Sequence, residues 1–377
     1  MPAYRCEADV IAGLEPFAQQ EIARLGGHDV RVVRPGLLEF TAADLRPLLR
    51  SKTALAIYLL EYFDVPRPRA LLGDQHLRAV LAQTDVALAL LPPGGCRTFM
   101  LGAAGPGSTV MARLRAELAR HTGLREVAEE GELLIRVRPS LRRSSSGACA
   151  RLSVSDARRR SNGGSREKLQ AGSAGRVGWD VLVRISPRAL GARDWRVCDM
   201  EGMLQATVAH VMASLTQPSA DDVYLNLGCG SGTLLIERAS AGPARLLIGC
   251  DVAADAIACA RANIAAYLTK GGRGAFELHD WDARRLPMAD ASADAITADL
   301  PFGNLVGSHG ENVALYPQLM EEAARVARPG ARCVLITAEV RLMERVLDQM
   351  RMRWQTQGTF RVDLGGLRPA IFVLRRV

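Results

Sequence analysis

The chain has 377 residues, 48% of them hydrophobic, and a formal net charge of +8. That is enough for two or three domains with cores of their own. No run approaches the roughly 18 uninterrupted apolar residues of a membrane span, and Met1 to Leu14 already carries Arg5, Glu7 and Asp9, which is not the pattern of a secretory signal. A soluble, cytoplasmic protein with no membrane partner is expected. The charge is local: Arg136 to Lys168 holds ten Lys or Arg against Asp156 and Glu167, a balance of +8, so the rest of the chain sums to zero.

From the N-terminus, Tyr4 to Val10 alternates like a strand and Leu14 to Leu25 repeats apolar positions at helical spacing. Val30 to Val33 and Leu37 to Phe40 read as strands across Pro35-Gly36, followed by a helix over Ala43 to Leu49 and a strand over Ala54 to Phe63. Residues 1–64 thus form a small α+β domain. Glu15, Glu21 and Asp44 read as solvated charges on helix faces.

Pro66 and Pro68 mark a boundary. Beyond it come helices at Asp74 to Gln83 and Ser108 to His121, with strands at Arg97 to Leu101, Leu133 to Val137 and Trp179 to Ile185. This layout over 65–187 resembles the THUMP domain that carries RNA-modifying enzymes to tRNA. A Ser, Gly and Arg-rich insertion over 140–178 interrupts it, with little apolar periodicity, and reads as a long flexible loop. Its arginines Arg142, Arg143, Arg158, Arg159 and Arg160 suit phosphate contacts, which position a nucleic acid without reading its sequence; a purely solvated insertion is the other reading.

Over 188–377, a helix at Gly202 to Leu215 leads into a steady alternation of strand and helix, the pattern of a doubly wound parallel sheet. Strand Val223 to Leu227 runs into the turn Gly228-Cys229-Gly230-Ser231-Gly232-Thr233, whose glycines allow close backbone approach at a helix start. The spacing differs from the dinucleotide fingerprint, since the third glycine follows two residues after the second. The next strand, Leu246 to Cys250, ends in Asp251, suited to ribose hydroxyls. The third strand region closes with Asp280-Trp281-Asp282-Ala283, and the fourth, Ala293 to Ala298, with Asp299-Leu300-Pro301-Phe302-Gly303. That last group can grip an exocyclic amine: Asp299 and the Leu300 carbonyl accept, Pro301 stiffens the turn and Phe302 offers a stacking face. Alone, it also suits a simple strand-ending turn. A helix over Val313 to Ala327, a strand over Cys333 to Ala338, a helix over Leu342 to Met350 and a closing antiparallel pair, Thr356 to Val362 with Ala370 to Arg375, complete the pattern. Asn304 to Asn312 reads as a polar loop in which His309 is a loop residue rather than a general base.

The eight cysteines form no C-x-x-C pair and the six histidines show no zinc spacing, so reduced packing cysteines and no metal are expected.

The four consecutive strand ends resemble the class I S-adenosylmethionine-dependent methyltransferases. The resemblance implies a Rossmann-like α/β domain with a mostly parallel seven-stranded sheet, preceded by an α+β ferredoxin-like or THUMP region. It implies S-adenosylmethionine as cofactor, with Gly228, Gly230 and Gly232 at the methionine end, Asn226, Ser231 and Thr233 beside them, Asp251 and Val252 at the ribose, and Asp282 and Ala283 at the adenine. Asp299, Leu300, Pro301 and Phe302 match the family's amino-methylating motif, an Asn, Asp or Ser followed by two prolines and an aromatic residue; here Leu300 replaces the first proline. Leu225-Asn226-Leu227 likewise stands where many relatives have an Asp and a Pro. With the THUMP-like region ahead of it, the chain resembles the tRNA guanine N2-methyltransferases, the members that modify the acceptor stem above all. The implied enzyme is a monomer acting on tRNA, with guanine at the sixth position as target. Other readings are an amino-methyltransferase on another tRNA position, ribosomal RNA or DNA, or an inactive RNA-binding partner protein.

Overall fold

The structure, a computed structural model, describes residues 3–91, 94–103, 108–140, 178–303 and 308–377. Arg142, Arg143, Arg158, Arg159 and Arg160 lie outside the described residues. The chain forms two compact units, one of Met1–Ile57 with Arg188–Val377 and one of Tyr58–Pro187.

The first unit opens with β1 (Tyr4–Val10), α1 (Glu15–Arg24), β2 (Gly27–Arg34), β3 (Leu37–Ala42) and β4 (Ala54–Phe63), whose residues from Tyr58 onward belong to the second unit. β3 lies between β2 and β1, antiparallel to both. The helix expected over Ala43 to Leu49 is only a short 3-10 turn, Pro47–Arg50. Pro47 has no amide hydrogen to give a longer helix, so it can only open the turn.

Two carboxylates read as solvated are structural instead. Glu15 accepts from the Gly13 and Gly36 amides, each at 2.7 Å. Glu21 accepts from the Ser51 hydroxyl at 2.6 Å, from the Lys52 and Thr53 amides at 2.8 and 3.0 Å, and from the Thr53 hydroxyl. Burial disfavours its charge, but these donors outweigh burial and hold the carboxyl below the usual range. Glu21→Ala should therefore cost about 2 kcal/mol in urea unfolding at pH 7, because it strands several donors at once. Since the folded-state pKa is depressed, the wild-type advantage exists above the unfolded value and shrinks as pH falls through the folded one. Equal stabilities at pH 7 would refute the clamp.

The second unit contains the rest of β4 with α2 (Asp74–Leu88), β5 (Thr98–Ala103), α3 (Thr109–Thr122), β6 (Arg125–Glu126), β7 (Leu133–Pro139) and β8 (Trp179–Arg184). Its strands run in the order β4-β8-β7-β5-β6, antiparallel from β4 to β7 and parallel from β7 to β6. Leu133, Ile135 and Val137 alternate into the core, as a half-buried strand requires.

The remainder of the first unit is α4 (Ala206–Leu215), β9 (Val223–Leu227), α5 (Thr233–Ala241), β10 (Leu246–Cys250), α6 (Ala254–Thr269), β11 (Phe276–His279), β12 (Ala293–Asp299), α7 (His309–Val326), β13 (Ala327–Thr337), α8 (Val340–Gln349), β14 (Trp354–Arg361) and β15 (Ala370–Arg376). The seven strands run β11-β10-β9-β12-β13-β15-β14. The first five are parallel, and the closing pair is antiparallel as expected. One face packs Leu225, Ile248, Ile296 and Leu335 against Tyr316, Leu319 and Met320 of α7 and Met343 and Val346 of α8. The other packs Tyr224 and Leu247 against Leu235 of α5 and Ile257 and Ile264 of α6, and Val334 and Ile336 against Val208 and Met212 of α4. Period-two alternation along each strand produces these two faces. Ile11 and Leu14 join the α4 face, and the Asp363 amide donates to the Ala12 carbonyl at 2.9 Å.

Two helix starts differ from the sequence reading. α4 begins at Ala206, leaving 200–204 as loop. α7 begins at His309, where Ser308 and Glu311 form a capping box. That Ser-x-x-Glu spacing was present in the sequence, but the surrounding glycine and polar residues suggested a loop. Among the described residues no helix is long and apolar enough to cross a membrane.

Candidate active site

The chain goes from β9 outward through β10 to β11, then returns to the other side of β9 as β12. A crevice therefore opens beyond the carboxyl ends of β9 and β12, where ligands bind in sheets of this kind. Leu227 and Ala298 pair in register there, so the glycine turn and Asp299 leave the sheet side by side.

A cavity of about 660 Å³ occupies this crevice. One wall is the turn Gly228, Cys229, Gly230, Ser231 and Thr233; Asp251, Val252 and Ala253 form a second, Trp281, Asp282, Ala283 and Arg284 a third, and Asp299, Leu300, Pro301 and Phe302 a fourth. Gly228 and Gly230 have φ of +58° and +51°, with open space where a side chain would stand. They expose backbone to the cavity. Gly232 differs: a Cβ there would meet Ala260 of α6 at 3.1 Å, and it does not line the cavity. Its role is helix packing.

Asp251 accepts from the Gly230 amide at 2.9 Å and the Ala253 amide at 3.0 Å, which fixes its carboxylate against the glycine turn. Val252, next to it, is 71% exposed, an apolar platform at the cavity edge. Trp281 stacks on His279 with ring centroids 3.8 Å apart and planes 5° from parallel. Both oxygens of Asp282 are held by Arg284, whose hydrogen bonds keep that carboxyl below its usual range. Asp299 is half-buried and desolvation pushes its pKa up to about 7. Backbone at glycines, a fixed carboxylate, flat apolar surfaces and a carboxyl of shifted pKa in one cavity fit a purine nucleoside beside a reacting group.

Residues 193–370 match the UPF0020 family, described as the RMKL-like methyltransferase domain. This part of the chain matches that methyltransferase domain. The chain is 36% identical over 182 residues to a human tRNA (guanine(6)-N(2))-methyltransferase, THUMP3, an alignment taking in 46% of this chain and 36% of the relative. It is 34% identical over 136 residues to a bovine U6 snRNA (guanine-N(2))-methyltransferase, THUMPD2, covering 36% of this chain and 26% of the relative. The chain thus spans about a third of the length of these curated relatives or less. TrmN from Thermus thermophilus shares the fold over 99% of both chains, with a TM-score of 0.67 and 22% identity.

In the methyltransferase domain, Asn226 lies apart from the cavity. Its amide nitrogen donates to the Thr297 carbonyl at 3.2 Å, it is fully buried, and its Oδ1 has no partner among the described residues. The pleat decides this, turning Asn226 to the face shared with Tyr224 while its neighbours face the other way. His309 opens α7 rather than a loop, and its ring pairs with Glu339 at 2.8 Å.

Sequence reasoning missed the 200–204 segment, from which Met200, Gly202 and Leu204 line the cavity. Arg196 ties this segment to α5 by donating to the Leu204 carbonyl at 3.2 Å and the Thr233 hydroxyl at 3.1 Å. The same region corrects the cysteine reading, because Cys198 is disulfide-bonded to Cys259 of α6. The two are 61 residues apart, and Asn263 of α6 also holds the Val197 and Cys198 amides at 2.8 and 2.9 Å. No local spacing signals such a pair. Cys6, Cys229, Cys250 and Cys333 are free and buried, and burial pushes the Cys6 and Cys250 thiols up to about 12. Cys149 lies outside the described residues.

Proposed function

We propose that the protein transfers a methyl group from S-adenosylmethionine to the exocyclic N2 of a guanine in tRNA, at the sixth position in the acceptor stem. The observation that carries this reading is that Asp299, Leu300, Pro301 and Phe302 share one cavity with the glycine turn and Asp251. The relative that methylates guanine 6 of tRNA supports the choice of base.

The cofactor supplies an electrophilic methyl on a sulfonium. Gly228 and Gly230 give its methionine end a close backbone surface, Asp251 accepts from ribose hydroxyls, and Val252 and Trp281 offer apolar faces to adenine. A guanine amine is a poor nucleophile because its lone pair is delocalised into the ring. Accepting its two hydrogens at the Asp299 carboxylate and the Leu300 carbonyl turns the lone pair toward the methyl, and alignment alone lowers the barrier by several kcal/mol. The nitrogen proton becomes acidic as the carbon–nitrogen bond forms, and Asp299, with its raised pKa, can take it. In a stem the base must leave the helix, and Phe302 is the stacking partner.

The test is incubation of unmodified tRNA transcripts with labelled S-adenosylmethionine, followed by nuclease mapping and nucleoside mass analysis. N2-methylguanosine at position 6 is the expected product; label on another base or nucleic acid overturns the reading. The bovine relative named for U6 snRNA favours one further substrate, which the same assay compares directly.

Residues 65–187 are proposed as the RNA-binding part, with Arg142, Arg143, Arg158, Arg159 and Arg160 contacting phosphate. Deleting 144–164 removes four arginines and one aspartate, so tRNA affinity should fall and its salt dependence flatten. An unchanged salt slope returns the segment to a solvated insertion.

A further inference from the structure

The reaction above needs two acceptors, the Asp299 carboxylate and the Leu300 carbonyl, held at fixed positions. Leu300 lacks the ring that locks φ in proline, so the rigidity must come from elsewhere. We propose that Tyr316 and Asn312 of α7 are positioning residues that hold this turn through the Pro301 carbonyl; the proposal rests on the methyl-transfer reading.

Tyr316 Oη donates to the Pro301 carbonyl at 2.6 Å and Asn312 Nδ2 at 3.0 Å. The carbonyl can only accept, so the single phenolic proton is committed to it. Thr337 Oγ1, 2.7 Å from Tyr316 Oη, must then donate to the phenol, and it accepts from the Glu339 amide at 2.9 Å. Each bond in such a chain polarises the next. Asn312 and Tyr316 are both fully buried, and neither lines the cavity. They reach a bound ligand only through the turn.

Two details argue against simple packing. Asn312 Oδ1 is buried without a partner among the described residues, a cost that an apolar residue of similar size would avoid; its amide nitrogen on Pro301 is what the asparagine provides. Gly303 has φ of +76°, and a Cβ there would lie 3.3 Å from Asn312 Nδ2 and 3.0 Å from Glu339 Oε1. The glycine closing the motif lets α7 approach the turn.

The other flank is held as well. The Leu300 amide donates to the Ile336 carbonyl at 3.0 Å, a bond that proline could not make. Between these two anchors the Leu300 carbonyl has no donor among the described residues. Leucine thus exchanges ring rigidity for a sheet hydrogen bond upstream, and α7 supplies the restraint downstream.

Tyr316→Phe, Asn312→Leu and their combination, made in the full chain and assayed with S-adenosylmethionine and unmodified tRNA transcript, test this. Each single change should lower kcat about 10-fold and the pair about 100-fold or more, since misplacement near 1 Å has effects of that size. The cofactor Kd should stay within about twofold, because the affected carbonyls do not bind the cofactor's methionine or ribose. Thr337→Val should reproduce the Tyr316→Phe loss while Thr337→Ser restores activity. If the buried double change prevents folding, Gly303→Ala provides the readout, with the same kcat loss at unchanged cofactor Kd. Asp299→Asn is the control. Full kcat in a folded double variant or in Gly303→Ala, with Asp299→Asn inactive, overturns the clamp and leaves the methyl-transfer reading standing. Normal turnover by Asp299→Asn overturns both.

Discussion

Asp299→Ala is expected to lower methyl transfer by ~10³-fold or more while leaving the Kd for S-adenosylmethionine nearly unchanged. The carboxylate stands on the cavity wall beside Leu300, while the Gly230 and Ala253 amides are held by Asp251 instead. Its loss therefore removes an interaction with the methyl acceptor rather than with the cofactor. An oriented acceptor plus a proton acceptor contributes about 4 kcal/mol, and each 1.36 kcal/mol is tenfold in rate. The wild-type rate should rise with pH through a single ionisation. With desolvation raising Asp299 to about 7, the midpoint should lie near that value. Single-turnover rates and calorimetric cofactor titration of the variant check the first expectation, and a flat pH–rate profile would remove Asp299 from the reaction.

The second large effect is on stability, and its sign is opposite. Asp299→Asn should make the apo protein more stable by ~2–4 kcal/mol at pH 8, measured by urea unfolding. The folded-state pKa, about 7, lies above the ordinary value of 3.8, so the folded protein holds the proton more tightly than the unfolded chain. Stability that is fully present below the unfolded value is lost as pH rises through the folded one. Asparagine has no proton to lose, so the two proteins should converge near pH 4 and diverge above it. A carboxylate held half-buried, without an ion-pair partner among the described residues, is a cost retained at a site where the reaction needs it. Equal stability at both pH values would mean that the carboxylate is better solvated than its surroundings imply.

Much of the methyltransferase domain was legible because its signals are local. The short, mostly apolar runs at Val223 to Leu227 and Leu246 to Cys250 define strands with the boundaries observed, and in a doubly wound sheet functional residues gather at strand ends. Gly228, Asp251 and Asp299 could be assembled into one site on that rule before any distance was known. The rule failed where orientation mattered. Asn226, one residue from the turn, follows the pleat into the sheet and bonds to Thr297. Gly232 serves contact with Ala260 rather than the cavity. Glu15 and Glu21 looked like surface charges because their sequence neighbours reveal nothing of donors 21 to 32 residues away.

The amino-acid sequence by itself determined the alternation of strand and helix after Val223, the residues at the strand ends and the single basic segment, since each depends on side-chain period, turn chemistry or charge within a short window. Tertiary structure alone decided that Met200 to Leu204 line the cavity, that Cys198 meets Cys259, and that Tyr316 and Asn312 hold Pro301. Those relations arise when segments distant in the chain pack against one sheet, and short-range periodicity carries no record of which distant partner a side chain will meet.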